Sequence, residues 1–287
     1  MAPELQPREP DPPRVLVLGG GLAGIAAACH LVERGLRVTL VEKRPYLGGR
    51  AFSFTDPETG CQVDNGQHVF LGCCTQYIQL LQKLGTQEQA FLQPRFSMKV
   101  VDPQGRAELL ASAFLPAPFH LLPALLRYPY LTWGERLRVV TTLGRIRFTD
   151  HRHPSLEGET FAHWLRRHGQ SERAIRSFWN LIVLPALNDD IAQVSAAMGL
   201  MVFQEGVLKG RHSANIGYAR VGLSALMGDA AQRYLGQQDA QLLLGKSVQQ
   251  LLYQDERITG VTLADQQVLT ADVFISALPF DLLRTVL

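Results

Sequence analysis

Apolar residues run unbroken from Val15 to Leu18, and Leu36–Val41 and Val273–Ala277 carry two more short apolar stretches. Runs of this length and continuity predict strands of a parallel sheet buried on both faces. Between the first two, the period changes: Ile25, Ala28, Leu31 and Val32 recur on one face of a helix over residues 22–34. Tyr77, Leu80, Leu81 and Leu84 mark a short helix over 76–84. Residues 96–100 alternate as a strand and turn back at Asp102–Gly105 as a hairpin. Near the other end, Leu226, Ala230 and Tyr234 give a helix over 225–235. A strand at Gln241–Leu244 follows, then a hairpin pairing 247–253 with 258–263.

The middle of the chain reads differently. Thr160 and Ser171 are N-caps for two helices, one carrying Phe161, Trp164 and Leu165, the other Ile175, Phe178, Trp179 and Ile182. Pro185 is expected to end the second, and a third helix starts near Ser195. Ala111–Trp133 is rich in leucine and aromatic residues, but four prolines interrupt it, so it makes a poor transmembrane helix. Residues 127–176 hold ten arginines, no lysine and five acids. An apolar, aromatic segment beside a basic one fits either a surface that rests on anionic lipid or a buried core with a solvated basic face.

The chemistry is concentrated at the first strand end. Gly19, Gly21 and Gly24 form a Gly-x-Gly-x-x-Gly turn, and Leu22 and Ala23 open the helix behind it. The first glycine permits a tight turn, the second lets backbone approach a pyrophosphate, and the third lets helix and strand pack closely. The phosphates are expected on the helix N-terminus. Glu42, at the end of the second strand, is the acid the motif requires for ribose hydroxyls. Lys43 and Arg44 follow it, and then Gly48, Gly49 and Arg50, where a glycine pair again allows close approach and an arginine offers a planar donor fork.

The segment from Glu42 to Ala51 resembles the flavoprotein family of amine oxidases and phytoene-type desaturases. The resemblance implies FAD, and an α/β fold: a Rossmann-like FAD-binding domain of glutathione-reductase type with an inserted, mainly helical substrate domain. The expected division is 14–95 with 215–287 for the first and 96–214 for the second. Asp64–Tyr77 resembles the hydroxysqualene dehydroxylases, FAD enzymes of bacterial hopanoid synthesis. That likeness puts Gly66 against the cofactor and Gln67 and His68 near the reacting centre, with His68 as proton donor. His68 equally reads as a histidine bonded to a backbone carbonyl, and Asp64 as a loop cap. Val248 matches the family position whose backbone reads adenine. The glycine-containing segment with which related enzymes end is not found before Leu287, so the FAD-binding domain is expected to be incomplete at its C-terminal side.

Charge and cysteines narrow the classes. Over 287 residues the net charge is only +2, and nothing global argues for nucleic acid. The four cysteines, Cys29, Cys61, Cys73 and Cys74, fit no metal spacing, and reduced thiols in a cytoplasmic protein are expected. Residues 1–13, proline-rich and charged, read as a disordered leader rather than a signal peptide. The implied activity is reductive dehydroxylation of hydroxysqualene to squalene. An acid protonates the allylic oxygen, water leaves, and reduced flavin delivers hydride. Carotenoid-precursor desaturation and amine oxidation are the alternative enzyme readings, and a lipid-associated binding protein the non-enzymatic one. The expected partners are a long isoprenoid, an anionic membrane surface on the inner face of the bacterial membrane, and enzymes of the squalene pathway.

Overall fold

The structure, a computed structural model, describes residues 11–287. It divides into two compact units. One comprises residues up to His68 with Gln76–Ala90 and Ala219–Leu287; the other comprises Val69–Thr75 and Phe91–Tyr218.

The first unit is built on a four-stranded parallel sheet in the spatial order Gln241–Leu244, Arg37–Glu42, Arg14–Leu18, Val273–Ser276. Val15 to Leu18 are all buried, as an apolar run flanked on both sides by strands requires. The helix Leu22–Val32 returns across the sheet and buries Gly24, Ile25, Ala28, Cys29 and Val32. A smaller antiparallel sheet of Val248–Gln254, Arg257–Leu263 and Val268–Leu269 joins the same core through Leu251, Val261 and Leu263. The proposed leader 1–13 falls mostly outside the described residues. Asp11 and Pro13 are nevertheless held, because Arg37 donates to the Asp11 carboxylate (2.8 Å) and its amide to the Pro13 carbonyl (3.2 Å).

In the second unit Thr160, Ser171 and Ser195 each accept an amide from the first turn of their helices, at 3.2, 3.1 and 3.3 Å. The core gathers Phe161, Trp164, Phe178, Trp179 and Phe203, with Phe161 edge-on to Trp179. The longest helix, Trp133–Phe148, opens with a reciprocal Thr132–Glu135 capping box. Two expectations fail here. Pro185 lies inside the helix Asn180–Leu187, and the stop is Asn188 in left-handed conformation (φ 55°). A proline so near the last turn removes one bond from a ladder that is about to end anyway. Residues 69–71, expected within a covering loop, form a strand antiparallel to the one beginning at Ile216, with Phe70 opposite Gly217. This pairing draws Val69–Thr75 into the second unit.

Candidate functional site

In the first unit two glycine-rich segments meet. Gly19, at φ +104°, turns the chain out of the strand while its amide bonds the Val41 carbonyl (2.8 Å). A β-carbon on Gly24 would lie 1.8 Å from the Gly19 carbonyl oxygen, so helix and turn touch only because residue 24 is glycine. Gly21 caps the helix without a side-chain bond, and the first turn holds no acid. The amides of Leu22 and Ala23 therefore start the helix with its positive end uncompensated. The second segment closes on the first: Gly48 donates to the Gly20 carbonyl (2.8 Å), and a β-carbon on Gly49 would stand 2.9 Å from the Gly21 Cα. A β-carbon on Gly21 itself would meet nothing within 4 Å. Bare backbone, a free helix N-terminus and open space are what a dinucleotide pyrophosphate needs, so these residues fit such a group.

Glu42 is buried beside this turn. One carboxylate oxygen accepts the Gly20 amide (2.7 Å) and the other the Arg44 amide (2.8 Å), leaving each oxygen a second lone pair for a ribose hydroxyl. The chain returns to this place at Lys246, whose amide bonds the Glu42 carbonyl (2.9 Å). Val248 opens the next strand opposite Leu263. Arg44 is tied to the second glycine segment. Its guanidinium donates to the Gly49 carbonyl (2.8 Å) and lies over the Phe52 ring (4.9 Å), so it pins the second glycine turn. Only the spacing of Arg44, Tyr46 and Phe52 could have revealed this staple. Lys43 and Arg50 are exposed.

Gly66 sits in a turn at φ +86° with its amide on the Asp64 carbonyl (2.7 Å). Asp64 is a structural cap, accepting from the Ser53 hydroxyl (2.7 Å) and the Leu223 amide (3.0 Å). Gln67 and His68 are exposed, and the His68 Nε2 contacts the Asn65 carbonyl at 3.2 Å.

The second unit contains a cavity of about 590 Å³. Its wall comes from scattered segments, among them Val69–Leu71, Leu121–Leu122, Leu143–Gly144, Leu181–Ile182 and Val207–Leu208. Among the described residues Arg147 is the only basic side chain on the wall, and it donates to the Leu208 carbonyl (3.2 Å). Sequence reasoning named no lining residue, because no single stretch carries the lining. Cys74 also reaches this wall. A hydrogen bond from the Cys73 thiol, opposed by burial, lowers the Cys74 thiol to about 6, while the same bond and burial push Cys73 up. Among the described residues all four cysteines are free, no acid, histidine or cysteine cluster is arranged for a metal, and no helix is long and apolar enough to cross a membrane.

Residues 22–287 match the profile of a family described as flavin containing amine oxidoreductase. A probable zeta-carotene desaturase of Synechococcus elongatus is 29% identical over 288 residues, covering 92% of this chain and 58% of the relative. A 15-cis-phytoene desaturase of the same species is 24% identical, covering 96% and 59%. Among solved structures, an oxidoreductase from Methanosarcina mazei aligns with TM-score 0.70 at 18% identity, covering 95% of this chain and 60% of that one. Wild-type putrescine oxidase bound to putrescine aligns with TM-score 0.68, also at 18% identity, covering 96% and 60%. The chain thus spans less than two thirds of the length of the relatives it matches.

Proposed function

The chain belongs to the flavin-containing amine oxidoreductase family and its cofactor is FAD; on that premise we propose that it acts in hydride transfer to or from a linear isoprenoid. The observation that carries this reading is the cavity: apolar on nearly every side, and of the size that holds one extended small molecule. An amine substrate is disfavoured, since among the described residues no carboxylate lines the wall and the cationic Arg147 does.

FAD supplies the two-electron chemistry. The residues of this chain hold it: Leu22 and Ala23 amides toward the pyrophosphate, Glu42 toward the ribose, and the backbone near Val248 toward the adenine. His68 is proposed as proton donor. Its replacement by alanine lowers turnover by about 10²-fold or more if it is the acid. The relatives support desaturation of a carotenoid precursor better than dehydroxylation of hydroxysqualene. Dehydroxylation is kept as the second reading because of the Asp64–Tyr77 likeness.

An anionic membrane surface is the proposed source of the substrate. Phe114 and Phe119 are exposed in the apolar segment, and Trp133 and Phe148 are exposed at and within the arginine-rich stretch that follows, an arrangement suited to apolar contact with lipid and attraction to its charge.

Purified protein with FAD bound is the material for the test. Oxidised protein is mixed with phytoene or zeta-carotene, and anaerobically reduced protein with hydroxysqualene. New polyene absorbance identifies a desaturase, squalene a dehydroxylase. Turnover of putrescine with neither isoprenoid reaction refutes the proposal.

A further inference from the structure

In the second unit residues 113–120 form a loop whose two ends are joined, the Ala113 amide donating to the His120 carbonyl (2.7 Å). The base is anchored: Ser112 and His120 are buried, and the Ser112 amide bonds the Phe96 carbonyl (3.0 Å). Within the loop the Phe119 amide donates to the Pro116 carbonyl (2.9 Å). The tip leaves large apolar side chains in solvent, with Phe114 79%, Phe119 57% and Leu115 40% exposed. Single exposed apolar residues are ordinary on a protein surface, but three on one closed loop form a tip that folding does not bury. The same loop reaches the cavity, since Pro118 and Phe119 lie on its wall. Phe119 therefore belongs both to the surface and to the cavity lining.

Two arginines from other segments flank this tip. The guanidinium groups of Arg95 and Arg211 lie 5.0 and 5.9 Å from the centre of the Phe114 ring. Both residues are exposed, and among the described residues neither has a carboxylate partner. The arginine-rich stretch differs: Arg166, Arg167 and Arg173 are paired with Glu172, Glu159 and Glu135, while Arg136 and Arg147 donate to backbone carbonyls. An apolar tip beside unpaired guanidinium groups matches the boundary of an anionic bilayer, where rings enter hydrocarbon and planar donor forks meet phosphate. A protein partner seated on the tip would stop the cavity at Phe119, whereas a bilayer brings hydrocarbon to it.

We infer that loop 113–120, together with Arg95 and Arg211, docks the second unit on an anionic phospholipid bilayer. The tip enters the outer acyl layer, the two guanidinium groups take lipid phosphate, and the cavity wall at Phe119 faces the lipid. The general attraction to a membrane proposed above is here assigned to one loop and to two arginines outside the stretch 127–176. Delivery of substrate at Phe119 rests on the reading of the cavity as an isoprenoid site; the docking itself does not.

The experiment follows flotation of FAD-loaded protein with vesicles of phosphatidylglycerol and phosphatidylcholine, against vesicles of phosphatidylcholine alone. Three altered proteins are compared with wild type: Phe114→Ser, the pair Arg95→Gln with Arg211→Gln, and a control pair, Arg138→Gln with Arg145→Gln. All of these positions are exposed, and the control removes the same charge from the arginine-rich stretch. Wild type is expected to float with the anionic vesicles only. Phe114→Ser and the Arg95/Arg211 pair each lower the partition coefficient by roughly tenfold or more, and the control pair by no more than about threefold. Wild type that stays off the anionic vesicles, loop variants that float undiminished, or a control pair that loses as much as the Arg95/Arg211 pair each overturns the inference. Dimers in gel filtration that Phe114→Ser abolishes, with no flotation, make a second copy the occupant and also overturn it. Farnesol binding, read by quenching of tryptophan fluorescence, tests the isoprenoid reading separately. Wild type that floats through the loop but binds no farnesol overturns that reading and upholds the dock; wild type that binds farnesol and does not float overturns the dock alone.

Discussion

The Glu42 carboxylate reaches across 22 positions of sequence to accept the Gly20 amide at 2.7 Å, with its other oxygen on the Arg44 amide at 2.8 Å. One buried acid thus ties the first glycine turn to the start of the second. Glu42→Gln places an amide group opposite two N–H donors, one of which must face a donor. The expected cost is about 2–3 kcal/mol, the scale of a lost bond to a charged group. Urea unfolding of the variant checks this, together with a flavin absorbance that wild-type protein keeps through gel filtration and the variant loses.

The two glycines of the turn separate binding from stability. Gly21 has extended backbone (φ −74°) and open space where a side chain would go. Gly21→Ala should therefore alter the stability of the apoprotein by no more than about 1 kcal/mol, while weakening FAD by roughly tenfold or more, 1.4 kcal/mol on the binding scale. Gly24→Ala should do the reverse first, since its β-carbon meets the Gly19 carbonyl, and lose about 1–3 kcal/mol of stability by overpacking. Thermal melts with and without FAD distinguish them. Equal destabilisation of the two apoproteins would falsify the assignment.

Gly144 lies on the cavity wall within the helix Trp133–Phe148, and a β-carbon there meets nothing within 4 Å. Glycine in a helix interior costs about 1 kcal/mol relative to good helix formers. Gly144→Leu is accordingly expected to hold or raise the melting temperature while filling space in the cavity. Farnesol titration should show affinity reduced about tenfold, the scale set by a few lost apolar contacts. Undiminished affinity would place the isoprenoid elsewhere.

Cys74 offers a pH test at the same wall. With its thiol lowered to about 6 by the Cys73 hydrogen bond, the thiolate is half formed near pH 6 and nearly complete at pH 8. Alkylation by iodoacetamide, followed by peptide mass spectrometry, should rise through that midpoint and then level off. Cys73→Ala removes the S–H donor and moves the midpoint up toward the ordinary thiol value of about 8.5. An unmoved midpoint in that variant rules out the thiol pair as its cause.

The nucleotide half of this protein was legible because its signals are local. Gly19, at positive φ, and Gly24, whose β-carbon would meet the Gly19 carbonyl, must be glycine for steric reasons acting within a few residues. The apolar runs at Val15 and Val273 need no knowledge of their neighbours to be read as buried strands. Glu42 could be named for the same reason, but its bonds to Gly20 and Arg44 could not, nor could the hold of Arg44 on Gly49 and Phe52. Side-chain aim depends on which backbone atoms the fold brings close. The cavity lay further out of reach. Its wall draws on strands, helices and turns from Val69 to Ile216, and each contributes one or two apolar residues that are indistinguishable in sequence from core. Pro185 shows the same limit, since its ring reads as a stop until packing places it on a cavity wall near a helix end that Asn188 makes. Periodicity and glycine spacing determined the elements and the dinucleotide turn, because both are properties of a short length of chain. Which charged groups are left without a partner, and which apolar ones line a cavity, was decided only when distant segments packed together.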